Sequence, residues 1–274
     1  MKVIVALGPS KCSRNASEIA IDLASRRPGV ELTAVHVVNV VKPSGNLLKD
    51  LPGRLGFEPA VVSEALGEQH DEVGRLLLAD VKARGTAAGV EVRTVLDHGA
   101  VQERLEHHAS HADLLVLGQT GETEERFPGQ GGATAHNVVA GVSGTALLVR
   151  PGGQLVRNVL VGYDGSEAAA HTLALVRRLG PEAIESVHAV YVGDVSGDTS
   201  PLDGVEVHLP GFVVKKALLQ GESVSQAISQ YGKEQGVDTV AIGFSGNSPL
   251  RDFLFGRGYE NLLSNHDFNL LITH

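Results

Sequence analysis

Residues 3–10 read VIVALGPS, and residues 159–166 read VLVGYDGS. Each stretch is a short apolar run typical of a buried parallel strand, followed by turn residues and then by apolar residues at helical spacing. The same succession in two distant parts of a chain indicates an internal duplication. The sequence therefore predicts two similar units, each beginning with a strand and a helix.

The repeat continues beyond the first helix of each unit. Predicted helices and strands alternate in the same order in both halves, and each predicted strand is a nearly continuous apolar run. Such runs are typical of a parallel sheet covered on both faces. The fold class is therefore α/β, with two tandem doubly wound, Rossmann-like sheets of five strands. The matching segments are helices over 13–26 and 167–179, and strands over 32–38 and 187–192, 113–118 and 238–243, and 146–149 and 270–272.

The length of 274 residues favours two domains. Pro and Gly residues over 150–154 interrupt both helix and strand, so we predict domains over 1–152 and 153–274. The halves differ after their second strands. The first half has an amphipathic pattern over 59–88, whereas residues 194–211 are few and rich in Gly, Ser, Asp and Pro. We expect the second domain to lack one helix.

Composition argues against several functional classes. The net charge is −9 and aromatic residues make up only 4% of the chain, which disfavours binding to nucleic acid. The single cysteine, Cys12, excludes an intrachain disulfide and a zinc site built from several thiolates. The N-terminal apolar run is too short for a signal peptide or a membrane span. We expect a cytoplasmic protein with no membrane partner.

Each half also has a glycine-rich loop after a later strand, where ligands of open α/β sheets bind. The spacing is Gly-x2-Gly-x9-Gly in both copies. Glycines let the backbone approach a phosphate closely, and a helix N-terminus presents unpaired amides to it. The alternative is that the glycines only allow tight turns and close packing of a helix on the sheet. The loop residues are Gly118, Gly121, Gly131, Gly132, Ala133 and Thr134 in the first half, and Gly243, Gly246, Gly256 and Arg257 in the second.

This spacing, with the Asp-Gly-Ser turn at 164–166, resembles the signature of the universal stress protein family over nearly the whole chain. The resemblance implies an adenine nucleotide ligand, ATP or AMP, alone or with Mg²⁺. It also implies that residues ending the first and second strands contact adenine and ribose, while the glycine loop holds the phosphates. The strand-end positions are Gly8 and Val37 in the first half, and Asp164 and Val192 in the second.

Both halves depart from the family pattern. Gly8 stands where an aspartate is expected, and Gly132 stands where a hydroxyl residue is expected, with Thr134 as the available substitute. The second half keeps Asp164 but has Arg257 in place of the hydroxyl residue. Arg257 would pair with a phosphate, fill the site itself or lie in solvent. Asp164 would also serve as a turn or N-cap residue without any ligand.

Two other groups of side chains are candidates for a metal site or a reactive thiol. His107, His108 and His111 lie on a predicted helix, and His107 and His111 have the i, i+4 spacing of metal ligands. A solvated helix end, where imidazolium is favoured, is the simpler interpretation, so no tightly bound metal is expected. Cys12 has no activating base near it in sequence and is expected to be a buried, inert thiol.

The leading hypothesis is a stress-response or regulatory protein that binds adenine nucleotide. One alternative is a slow nucleotide hydrolase, with weak ATPase activity at most, since neither loop has the Gly-Lys-Ser/Thr of a Walker motif. The other is an interaction scaffold that has lost nucleotide binding. No catalytic residue is predicted. The resemblance further implies that the terminal strands pair, forming a pseudo-dimer within the chain and a homodimer beyond it.

Overall fold

In the computed structural model, the described residues are 1–39, 59–122, 125, 133–142, 144–193, 201–220, 223–243 and 267–274. The first half alternates strands and helices throughout. Its elements are β1 (Lys2–Leu7), α1 (Lys11–Arg26), β2 (Glu31–Asn39), α2 (Pro59–Ala87), β3 (Val92–Gly99), α3 (Val101–Ala109), β4 (Leu114–Gly118), α4 (Ala133–Gly141) and β5 (Thr145–Val149).

The second half follows the same order with one difference. Between β7 and β8, where the first half has α2, the described residues contain a single turn of 3-10 helix and no α-helix. The domain boundary after residue 152 stays a prediction. The elements are β6 (Asn158–Gly162), α5 (Glu167–Leu179), β7 (Ser186–Val192), the 3-10 helix (Val205–His208), β8 (Val213–Leu219), α6 (Val224–Gln235), β9 (Thr239–Gly243) and β10 (Asn269–Thr273).

All ten strands form one continuous sheet, in the order β3-β2-β1-β4-β5-β10-β9-β6-β7-β8. Within each half the five strands are parallel, which confirms the predicted fold class. The halves join through antiparallel pairing of β5 with β10, in which Leu147 lies opposite Leu271. The two predicted five-stranded sheets are therefore one ten-stranded sheet, because their terminal strands satisfy each other's backbone groups.

Helices cover both faces of this sheet, as expected for a doubly wound fold. On one face, α1, α2 and α5 pack on strand residues in one apolar cluster that includes Ile19, Val81 and Leu173. On the other face, α3, α4 and α6 bury residues such as Leu105 and Ile228 in a second cluster. The carboxyl ends of the strands of each half therefore open between two helical layers.

Ion pairs also link the two halves beside the central strands. The Arg157 guanidinium donates two hydrogen bonds, of 2.8 and 2.7 Å, to the carboxylate of Asp22 on α1. The Arg157 side chain is only 10% exposed, so this pair is largely shielded from water. Arg178 pairs with Asp113 across the same junction at 2.9 Å. Polar contacts thus supplement strand pairing in holding the halves together.

Candidate functional site

The strand register identifies which residues of the two halves are equivalent. Val3 pairs with Leu32 and Leu114, and Val159 pairs with Val187 and Thr239. Counting along the strands from these pairs shows that Gly8 in the first half is equivalent to Asp164 in the second half. The same count matches Val37 with Val192, and Gly118 with Gly243.

A cavity of about 200 Å³ lies at the carboxyl ends of β6 and β7, beside the start of α6. It contains two of the predicted site residues, Asp164 and Val192, and its walls are mainly apolar. This is the crevice in which open α/β sheets bind ligands. The lining residues are Gly162, Tyr163, Asp164, Val190, Tyr191, Val192, Val224 and Ile228.

The turn at the mouth of this cavity is built by Asp164, Gly165 and Ser166. Gly165 has φ +78°, a left-handed conformation that favours glycine. Ser166 is the N-cap of α5, and its Oγ accepts a hydrogen bond from the Ala169 amide at 3.2 Å. Asp164 Oδ1 accepts one from the Ser166 amide at 2.9 Å. Asp164 is therefore a turn residue, and it is also exposed and lines the ligand crevice.

The equivalent strand ends of the first half have a different character. Gly8 supplies no carboxylate, and its amide donates to Ser13 Oγ at 2.7 Å. Val37 is only 8% exposed, whereas Val192 is partly exposed at its cavity. Next to Val37, the His36 ring donates from Nδ1 to the Leu7 carbonyl at 2.9 Å. The first half thus lacks the acidic group that the second half presents.

The first glycine of each loop has a packing role. A Cβ at Gly118 would lie 2.8 Å from the backbone of Cys12 and Ser13, at the start of α1. A Cβ at Gly243 would collide with the Ala168 backbone, at the start of α5. Both glycines therefore let a helix approach the sheet closely, which is the ligand-independent alternative. Gly121 differs, because a Cβ there would meet no described atom within 4 Å.

The other loop residues are only partly within the described structure. Ala133 and Thr134 are the first two residues of α4, so the loop of the first half does lead into a helix N-terminus. The remaining predicted residues lie outside the described residues, and their part in phosphate binding stays a prediction. They are Gly131, Gly132, Gly246, Gly256 and Arg257.

Glu125, which the sequence analysis did not single out, lies at the N-terminus of α1. Its carboxylate accepts hydrogen bonds from the amides of Lys11 and Cys12, at 3.0 and 2.9 Å. The negative charge is favourable there because the helix dipole places partial positive charge at this end. No local sequence signal links Glu125 to α1, because more than 100 residues separate them. These two amides are consequently occupied by the protein itself.

Cys12 and the histidines near the end of α3 are the two other groups singled out from the sequence. Cys12 is fully buried, its Sγ lies 2.7 Å from the Val149 carbonyl, and burial raises its pKa despite hydrogen bonds from the loop after β4. It is therefore the inert thiol that was expected. His107 and His108 lie on α3, but the helix ends at Ala109, so the prediction that His111 lies on it was wrong.

Metal sites and membrane-spanning helices can be assessed only for the described part of the chain. Within it, no group of three or more His, Cys, Asp or Glu side chains is arranged to hold a metal ion. None of its helices is both long enough and apolar enough to cross a membrane.

Comparisons with known proteins agree with this architecture. The model of the universal stress protein family matches residues 1–150. Universal stress protein Slr1230 of Synechocystis is 26% identical over 238 residues, which cover 82% of this chain and 80% of the relative. The crystal structure of a universal stress protein from Archaeoglobus fulgidus superposes with a TM-score of 0.70 at 15% identity, covering 99% of this chain and 95% of that one. A protein of unknown function from Pseudomonas aeruginosa, PA1789, gives a TM-score of 0.54 at 12% identity, with 99% and 92% covered.

Proposed function

The chain belongs to the universal stress protein family, and from that premise we propose that it is a regulatory protein that binds one adenine nucleotide, ATP or AMP. The proposed site is the cavity at the ends of β6 and β7 in the second half. The observation that carries this proposal is that Asp164 and Val192 line one cavity. The resemblance to the family implies that residues at both positions contact adenine and ribose.

The chemistry of the cavity suits a nucleoside. Val192, Val224 and Ile228 supply apolar surface for the faces of a purine ring, while the Asp164 carboxylate can accept hydrogen bonds from ribose hydroxyls. The volume of about 200 Å³ is below the usual range for whole-ligand sites, about 300–1,000 Å³. Base and ribose would occupy the cavity, and the phosphates, with any Mg²⁺, would extend toward the glycine loop.

The first half is proposed to be a structural partner rather than a second nucleotide site. It has Gly8 in place of the carboxylate and buries Val37 at the position equivalent to Val192. We therefore expect one nucleotide per chain, a stoichiometry that separates this account from both a two-site module and a scaffold without nucleotide.

Calorimetric titration of the full chain with ATP and with AMP tests this proposal. We expect one saturable site, and Asp164→Ala should weaken binding about tenfold or more, because a hydrogen bond to a charged group contributes about 1.5–3 kcal/mol. Glu91→Ala is the matched control, since it removes an exposed carboxylate in the other half. Absence of saturable binding, or equal affinities for Asp164→Ala and wild type, would refute the proposal.

Nucleotide binding would regulate the association of the chain with a second copy. This would take place in the cytoplasm, where a single buried thiol is stable in reduced form. Since β5 and β10 pair with each other, a homodimer would use the outer strands, β3 and β8. Val213 and Leu218 of β8 are exposed large apolar residues, 60% and 51%, and fit such an interface. Sedimentation velocity with and without ATP would test this step, and identical profiles would argue against nucleotide-controlled association.

A further inference from the structure

One face of the first half is incompletely covered at the end of the sheet opposite the nucleotide crevice. Helix α3 has nine residues and spans about 13 Å, whereas β2 also has nine residues and spans about 30 Å. The helix starts near the carboxyl ends of the strands, so it ends before their amino ends are reached. A cavity of about 400 Å³ lies there, between the starts of β1, β2 and β3 and the end of α3.

The cavity is lined mainly by groups that carry or acquire positive charge. Lys2 and Arg93 reach it from the sheet, with Glu31 as the one fixed negative charge and the Thr33 hydroxyl beside them. Within the described residues, the side chains of Lys2 and Arg93 form no ion pair. Three imidazoles complete the lining from the α3 side. They belong to His107, His108 and His111.

The nearest carboxylates outside the lining already have partners. Asp97 Oδ2 lies 2.8 Å from His108 Nε2 and 2.8 Å from an Arg104 nitrogen. Asp113 accepts the Lys2 backbone amide at 2.7 Å and pairs with Arg178 at 2.9 Å. These acids therefore orient His108 and the start of β1. Lys2 and Arg93 then face only Glu31, the strand neighbour of Lys2, so the fixed charges of the lining sum to one positive charge. The cavity carries local positive character in a chain whose net charge is −9.

The imidazoles on the outer side have a fixed arrangement. The rings of His107 and His111 lie 5.4 Å apart, centroid to centroid, and both residues are exposed. His111 Nδ1 lies 2.9 Å from Ser110 Oγ and 3.1 Å from the His107 carbonyl. A cation held between these rings would meet repulsion from Lys2 and Arg93 in the same cavity. The sign of the lining therefore favours an anion over a metal ion.

The second half provides an internal comparison. Strand register makes Thr33 equivalent to His188. On the helices, matching the buried residues Leu105 and Ile228 makes His108 equivalent to Tyr231. There, His188 is 1% exposed and its Nδ1 lies 3.1 Å from the Tyr231 hydroxyl, so larger side chains fill the equivalent space. Helix α6 is also three residues longer than α3. The second half therefore has larger side chains at the positions equivalent to Thr33 and His108.

From this arrangement we infer that the cavity binds a compact oxyanion of the phosphate or sulfate type, carrying two or more negative charges. The Arg93 fork and the Lys2 ammonium would hold two of its oxygens, and an imidazole N–H would donate a further hydrogen bond. Thr33 would donate a hydroxyl hydrogen bond. The site is independent of the nucleotide crevice, because it lies at the opposite end of the strands and in the other half of the chain.

An NMR titration of the full chain with sodium sulfate at pH 6 tests this inference. Sodium chloride at equal ionic strength controls for screening. We expect saturable shifts confined to residues around the cavity, above all Thr33 and Arg93. Arg93→Gln should weaken sulfate binding about tenfold or more, since it removes a charge beside a dianion. Lys215→Gln, at the position equivalent to Arg93 in the second half, is the matched control and should leave binding unchanged.

Lys2→Gln gives a second readout. It removes the other fixed positive charge of the lining, so sulfate binding should again weaken about tenfold or more. Arg93 is exposed, so its substitution should leave the thermal midpoint unchanged. The inference would be overturned by equal shifts with chloride, or by sulfate affinity in Arg93→Gln and Lys2→Gln that equals wild type.

Discussion

Substituting Gly118 by alanine should destabilise the protein whether or not any ligand is bound. The new Cβ would lie 2.8 Å from Cys12 C and Ser13 N, where carbon contacts are normally about 3.5–4.0 Å. Strand β4 pairs with both β1 and β5, so it cannot move away from α1 without disturbing the sheet. Overpacking of this kind costs about 1–3 kcal/mol, and the reduced entropy of the unfolded chain offsets about 0.4–1 kcal/mol.

The expected net loss for Gly118→Ala is therefore about 1–2 kcal/mol in the free energy of unfolding. This corresponds to a fall of about 2–8 °C in thermal midpoint for a chain of this size class. Urea unfolding followed by circular dichroism measures it. Gly121→Ala is the control from the same loop, because its Cβ meets no described atom within 4 Å. If the two variants unfold at the same urea concentration, the packing explanation for Gly118 is wrong.

Two further predictions concern carboxylates that hold the fold. Asp22→Ala should lower the free energy of unfolding by about 1.5–3 kcal/mol, because the 10% exposed Arg157 side chain loses the carboxylate that accepts two hydrogen bonds from its Nη2; Asp22→Asn should lose less, and a urea midpoint equal to wild type for the alanine variant would contradict this. Burial acts to raise the pKa of Asp97, but hydrogen bonds from Arg104 and His108 outweigh it and hold the pKa at about 2. Because this pKa is below the unfolded value of about 3.9, the stabilisation is complete above about pH 5 and is lost as the pH falls from about 4 to 2. Unfolding free energies of wild type and Asp97→Asn should therefore differ at pH 7 and converge near pH 2, and a gap that does not change with pH would count against this origin.

Local patterns were sufficient to predict the duplicated fold. The apolar runs at 3–7 and 159–163 predict β1 and β6, whose residues 3–5 and 159–162 are buried, as expected for strands enclosed on both faces of a sheet. Ser10 and Ser166, after the glycine or aspartate at the strand ends, cap α1 and α5 through their side chains. These signals lie within a few residues of the structure that they specify.

Features that depend on distant residues could not be predicted in this way. The contact of Glu125 with the start of α1 joins segments more than 100 residues apart. The packing role of Gly118 becomes visible only when Cys12 is placed beside it. The cavity that joins Arg93 to His107 depends on strand register and on where α3 ends. In each case the spatial neighbour, rather than the residue type, determines the role.

The difference between the halves was visible in the sequence, but its consequence was not. Gly8 and Asp164 occupy equivalent strand ends, and the departure from the family pattern at Gly8 was evident from the residue alone. That Val37 is buried while Val192 lines an open cavity required the structure. The sequence leaves open whether one, both or neither half binds nucleotide, and the geometry supports a proposal of one site per chain.

A crystal structure of the full chain grown with saturating ATP would test the central claim most directly. The account predicts an adenine ring packed against Val192 and Ile228, with a ribose hydroxyl within hydrogen-bond distance of the Asp164 carboxylate, and one nucleotide per chain. A nucleotide bound only at the strand ends of the first half, beside Gly8 and Val37, would contradict it. So would an empty cavity in the second half at that ATP concentration.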